Sequence, residues 1–184
     1  SGRLFINIRE DKGYTYGAYS NFGVDRLNST FSASAKVRNE VTDSAIVEFL
    51  NEYEKITTEK VTELELKAAK SSLSGSFGRS LESPSSAASF ALNIARYNLD
   101  SDYYNNYLNR IQKVTAEDVL RVAKKYISTD KTTIAVVGKA QDISSKLKVF
   151  GNIEYYDAFA QPTKEPEFLF IPENITLKDV LSNY

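Results

Sequence analysis

Arg9 and Tyr16 stand seven residues apart, on either side of Gly13, in the stretch Ile8-Arg9-Glu10-Asp11-Lys12-Gly13-Tyr14-Thr15-Tyr16-Gly17. Arg offers a rigid fork of N–H donors matched to a carbonyl or carboxylate, and the Tyr phenol donates one hydrogen bond. On a helix end and the start of the adjoining strand, the two could aim at one cleft. Their chemistry would be the anchoring and polarising of a carbonyl group. The same residues also have a plain structural reading, because an Arg near a helix C-terminus offsets the dipole and Tyr suits any strand.

The rest of the chain limits what that cleft could do. There is no His and no Cys, so the commonest general base, the commonest zinc ligand and every thiolate are missing. The pairs Glu63/Glu65 and Glu117/Asp118 fall at cap and first-turn positions, where the helix dipole accounts for them. Gly75-Ser76-Phe77-Gly78 is not a nucleophile elbow, and no His is present to activate a serine. Val137-Gly138-Lys139 lacks the other features of a phosphate loop. The tyrosines at 97, 103, 104 and 107 suit packing between helices better than stacking on bases. A formal charge of −1 (23 basic against 24 acidic residues) gives no electrostatic case for nucleic acid or an anionic membrane. No apolar run approaches the ~18 residues of a bilayer span. With 184 residues, 42% of them hydrophobic, the chain can bury a core of its own.

The elements that would position Arg9 and Tyr16 follow from periodicity. Leu4, Phe5 and Ile8 share a helical face up to Lys12, and Gly13 is placed to end that helix. Tyr14 to Val24 and Ser29 to Arg38 read as two strands of an antiparallel hairpin, the second alternating through Phe31, Ala33, Ala35 and Val37. Thr42 stands as an N-cap before the stripe Ala45, Ile46, Phe49, Leu50 and Tyr53, which ends near Ile56. Thr62 with Glu65 forms a capping box for a second helix whose later part, Ser74 to Gly78, is weak helix former that could kink or fray. Ser83-Pro84 starts a third helix through Tyr97. A fourth runs from Asp100 to Val114, and Thr115 with Asp118 caps a fifth through Ile127. Thr132 to Gly138 predicts a buried strand, Ala140 to Phe150 a short helix ending at Gly151, and Ile153 to Tyr156 a last strand. That order predicts an α+β domain, a mostly antiparallel sheet with helices on one face, over residues 1–160. Pro162, Pro166 and Pro172 mark 161–184 as a tail or linker, with at most a brief helix over Thr176 to Asn183.

Ser1-Gly2-Arg3-Leu4-Phe5, leading to Arg9-Glu10-Asp11-Lys12-Gly13-Tyr14-Thr15-Tyr16, resembles the S-R-L-F…L-R-E-x-x-G-x-x-Y signature of the pitrilysin/insulinase-type zinc metallopeptidases and mitochondrial processing peptidases. The likeness is to their second, zinc-free domain. It continues through Val114-Thr115-Ala116-Glu117-Asp118-Val119 (the family's V-T-x-E-D-V), Thr133 to Gly138, the Ile143 to Phe150 helix and the Gly151…Tyr156-Asp157 ending. The resemblance implies a domain that faces a homologous zinc-bearing domain or subunit, with an extended peptide held between them. Zinc belongs to that partner, and no cofactor is implied in this chain. Carried over by position, the substrate-binding residues are Arg9 and Tyr16, and Tyr16 also assists catalysis as a donor to the oxyanion of the scissile carbonyl. By itself the chain is expected to be inactive. A scaffold subunit of the same fold, with no peptidase role, is the alternative.

The sequence departs from the family in having Gly2 inside the Ser-Arg-Leu motif, and the strand and helix that precede the motif in the family are not present. These departures imply an N-terminally truncated domain with an open sheet edge, able to associate with a second copy. The family is found in periplasm, cytosol and organelles, and an absence of Cys permits an envelope location. Edge association predicts a concentration-dependent dimer in sedimentation velocity, and a strictly monomeric boundary at all concentrations would contradict it.

Overall fold

The computed structural model describes residues 2–25 and 27–165. The chain is α+β and divides into two compact units, Ser1–Lys36 with Ala45–Ile134, and Val37–Ser44 with Ala135–Tyr184.

The first unit opens on the helix anticipated before Gly13, but Phe5–Asp11 is wound as a π-helix rather than an α-helix. The Lys12 N–H donates to the Asn7 carbonyl at 3.0 Å, five residues back. Gly13, at φ +63°, takes the left-handed conformation that ends it. Strands β1 (Thr15–Gly23) and β2 (Thr30–Val37) then pair, and so short a connection requires them to run antiparallel. Each lies within a residue of its expected bounds. The Thr15 hydroxyl donates to the Lys36 carbonyl at 2.7 Å, which ties the start of β1 to the end of β2.

Helices follow the hairpin. In α1 (Thr42–Thr58), Ala45 and Ile46 of the apolar stripe are buried. Thr42 is not its cap. Its own backbone is already helical after a 3-10 turn over Asn39–Val41, and its hydroxyl donates back to the Arg38 carbonyl at 3.3 Å. In α2 (Glu63–Ser80) the capping box is present. Thr62 Oγ1 accepts from the Glu65 N–H at 3.2 Å, and Glu65 Oε2 accepts from the Thr62 N–H at 2.7 Å. This helix runs unbroken through Ser74 to Gly78, because Phe77 packs on Phe90 and Tyr107, at 5.8 and 4.5 Å between ring centres, and packing overrides weak propensity. Helix α3 (Pro84–Tyr97) starts at its proline and ends on Asn98 in the left-handed region. Helix α4 is only Tyr107–Lys113. Turns occupy the residues before it, and they let Tyr104 stack on Phe90 at 3.9 Å and accept from Asn93 Nδ2 at 3.0 Å. Tyr103, Tyr104 and Tyr107 therefore pack between helices. Helix α5 (Ala116–Tyr126) carries the second capping box, Thr115 with Asp118.

The expected strand over Thr132 to Gly138 does not form. Those residues are irregular, and Val137 is fully exposed. A β-branched run needs a neighbour to bond with, and among the described residues none pairs with it.

In the second unit, α6 (Ala140–Leu147) and a 3-10 turn over Lys148–Phe150 end at Gly151, at φ +140°. Ile143 and Ser144 are buried, and Asn39 donates to Asp142 at 3.0 Å. The last expected strand shrinks to β3 (Tyr155–Tyr156), paired antiparallel with β4 (Pro162–Thr163), so the first residues of the expected tail join a sheet. The brief helix expected over Thr176 to Asn183 lies outside the described residues.

Glu65 has a second role that ties the opening helix to α2. Arg3 grips its carboxylate with Nε at 2.6 Å and Nη2 at 3.1 Å. This grip, with the cap bonds, lowers the Glu65 carboxyl from 4.5 to about 2. A depressed carboxyl stabilises the fold above its unfolded value, and that contribution is lost as the pH falls through the folded one. Glu65→Gln is therefore expected to lower stability at pH 7 by about 1 kcal/mol, the scale of a cap bond, with the ion pair adding little because it is only part-buried. The gap to the unsubstituted protein should close as the pH falls from 4.5 towards 2. Urea titrations across that range check it, and a pH-independent gap would contradict it.

Candidate functional site

Arg9 lies in the last turn of the π-helix with its side chain exposed. Its Nη1 donates to Glu10 Oε1 at 2.9 Å, and the guanidinium lies 4.6 Å from the centre of the Phe5 ring. Tyr16 is the second residue of β1 and is 97% exposed. Among the described residues its phenol has no hydrogen bond and its ring no aromatic partner. The turn at Gly13 brings the two carrying elements together, while the side chains make no hydrogen bond to each other. A strand Tyr with a packing role would be covered. This one is not.

Beneath Arg9 the opposite side of the π-helix is anchored deeply. Ile8 is completely buried, the most enclosed large side chain in the protein among the described residues. Asn7 beside it is buried too, and its amide nitrogen donates to two carboxylates on α1, Glu48 Oε2 at 2.9 Å and Glu52 Oε1 at 2.8 Å. Glu52 is only 6% exposed. Lys55 meets Glu52 at 3.0 Å and Lys12 meets Glu48 at 3.3 Å, so each carboxylate also has a cation. The Asn7 hydrogen bond, ahead of the Lys12 contacts, holds the Glu48 carboxyl below the usual carboxylate range. Segment 3–12 is thus fastened at Arg3, Asn7 and Lys12.

Sequence reasoning singled out Arg9 and Tyr16 but missed Asn7, Glu48 and Glu52. A signal was there. Glu48 and Glu52 fall three and seven residues after buried Ala45, on the face of α1 that turns inward. Asn7 interrupts an apolar run between Ile6 and Ile8.

These acids do not form a metal centre. Among the described residues no group of three or more acidic side chains converges to hold an ion. Glu48 and Glu52 are engaged by one amide and two lysines, and zinc's usual nitrogen and sulfur donors are absent from the sequence. The donor set does not fit zinc.

Residues 1–73, which hold Arg9, Tyr16 and every member of the buried clamp, match the family model of the peptidase M16 inactive domain. The fold is similar to the crystal structure of the peptidase M16 inactive domain from Pseudomonas fluorescens, with a TM-score of 0.65 and 27% identity over 70% of this chain. The chain also shares its fold with the inactive peptidase domain of a predicted zinc protease from Bordetella parapertussis, at 20% identity over 72% of this chain and a TM-score of 0.59. A protease from Helicobacter pylori is similar over 70%, at 23% identity and a TM-score of 0.54. The chain spans 31% of the Pseudomonas and Helicobacter chains and 71% of the Bordetella one. Among curated proteins none matches it.

Proposed function

We propose that this M16 inactive domain is the substrate-binding, metal-free half of a zinc-dependent endopeptidase, supplying Arg9 and Tyr16 to a site whose zinc is held by another domain or subunit. The observation that carries the reading is the near-complete exposure of the Tyr16 phenol, with no partner among the described residues, on the strand that follows the exposed Arg9. The Tyr16 side chain is not spent on the fold, and the described partners of Arg9, Glu10 and Phe5, lie on its own helix. The Arg9 fork can grip a carbonyl or carboxylate of an extended peptide, and the Tyr16 hydroxyl can donate to the carbonyl oxygen on which negative charge develops. Zinc, when bound in the partner, supplies Lewis-acid chemistry, and this chain's residues hold and polarise the peptide. The outer edges of β1 and β2, which bond to no other described strand, offer backbone groups to that peptide or to a second copy of the chain.

Placing Tyr16 at the oxyanion predicts a specific kinetic signature. In the enzyme assembled with its zinc-bearing partner, Tyr16→Phe is expected to lower kcat by about 100- to 1,000-fold with KM little changed. Arg9→Ala is expected to act mainly on KM. Steady-state cleavage of a fluorogenic peptide checks both, and unchanged turnover in Tyr16→Phe would favour a scaffold role instead.

A further inference from the structure

The clamp beneath Arg9 has a feature that stability alone does not explain. An apolar contact would hold the opening helix against α1 without fixing its rotation, since the hydrophobic effect has no direction. Here a buried amide is used, and its nitrogen is shared between two acids four residues apart on one helix. Both amide hydrogens are thereby committed, and the amide plane is fixed by two directional bonds. The Asn7 Oδ1 is buried with no partner, an unfavourable arrangement that the two charged acceptors outweigh. Swapping the amide ends would aim oxygen at two carboxylates, so a single orientation is allowed.

The position of this amide matters for the site. Asn7 lies within the π-helix, and its own carbonyl accepts the five-residue bond from Lys12 that defines the wide turn. Two residues along a helix turn the side chain roughly half-way round the axis. Asn7 pointing inward therefore sets Arg9 pointing outward, as their burial shows. Wide π turns are rare and cluster at functional sites, where something must hold them open.

We infer that Asn7 is a positioning residue: its amide, clamped between Glu48 and Glu52, fixes the rotation and wide winding of the helix that aims Arg9 at the peptide. The inference rests on the proposed role of Arg9.

The test exchanges the polarity of the clamp. Asn7→Asp sets a third carboxylate against Glu48 and Glu52. The triple variant Asn7→Asp, Glu48→Gln, Glu52→Gln rebuilds both bonds with donor and acceptor reversed. In the assembled enzyme, Asn7→Asp is expected to raise KM for a fluorogenic peptide about tenfold or more, with kcat within about twofold, and the triple variant to recover most of that loss. Hydrogen exchange should show the Lys12 amide, bonded to Asn7, exchanging faster in Asn7→Asp and slowed again in the triple variant. If Asn7→Asp is merely unstable, KM in the triple variant decides. Recovery supports the clamp, and a KM still raised in a folded triple variant overturns it. A normal KM in Asn7→Asp, while Arg9→Ala raises it, overturns this inference and leaves the proposed function standing. A silent Arg9→Ala overturns both.

Discussion

The sharing of one buried amide nitrogen by two carboxylates, Asn7 between Glu48 and Glu52, is the contact on which the rest of the first unit's polar architecture depends. Two like charges four residues apart on one helix face repel, and burying them is costly unless each finds partners. Asn7 bridges them, while Lys12 and Lys55 supply opposite charge from either side. Because the acids are on α1 and the amide is on the opening helix, satisfying one element docks the other. Removing Asn7 would leave the buried Glu52 short of a partner. Losses of that kind are larger than the net worth of the bonds themselves.

From that contact the arrangement spreads outward. Arg3, four residues before Asn7, engages Glu65 at the capped start of α2, so the same short helix is fastened to two long ones. Gly13 then reverses the chain, and Thr15 ties the new strand to β2. Arg9 and Tyr16 sit on the two arms of this turn, supported from beneath and free above. The helices α2, α3 and α4 are joined separately, through the rings of Phe77, Phe90, Tyr104 and Tyr107. The buried clamp and the two exposed side chains are thus carried by one unit.

What could be read directly from residues was whatever depends on local signals. Both capping boxes, the glycine turn at Gly13, the proline start of α3 and the hairpin bounds follow from short-range rules, and each was legible. Thr42 misled because a threonine before an apolar stripe looks the same whether it caps a helix or continues a 3-10 turn. The run Thr132 to Val137 misled more seriously, since strand propensity says nothing about whether a neighbour is present to bond with. The π winding had no local signature at all, and the acids that Asn7 engages within it, Glu48 and Glu52, lie 41 and 45 residues away. Arg9 and Tyr16 were singled out as a pair through spacing and family likeness, and the turn at Gly13 joins the elements that carry them. Their shared support was not legible, because it required knowing which face of α1 meets the opening helix.

The central claim proposed above is that this chain presents Arg9 and Tyr16 to a peptide whose cleavage is completed by a metal held elsewhere. A structure of the assembled enzyme with an uncleaved peptide would test it most directly. The account predicts the Tyr16 hydroxyl at about 2.7–3.1 Å from the scissile carbonyl oxygen, with the Arg9 fork on a neighbouring carbonyl or carboxylate of the same peptide. A peptide bound across the metal with both side chains still facing open solvent would contradict it.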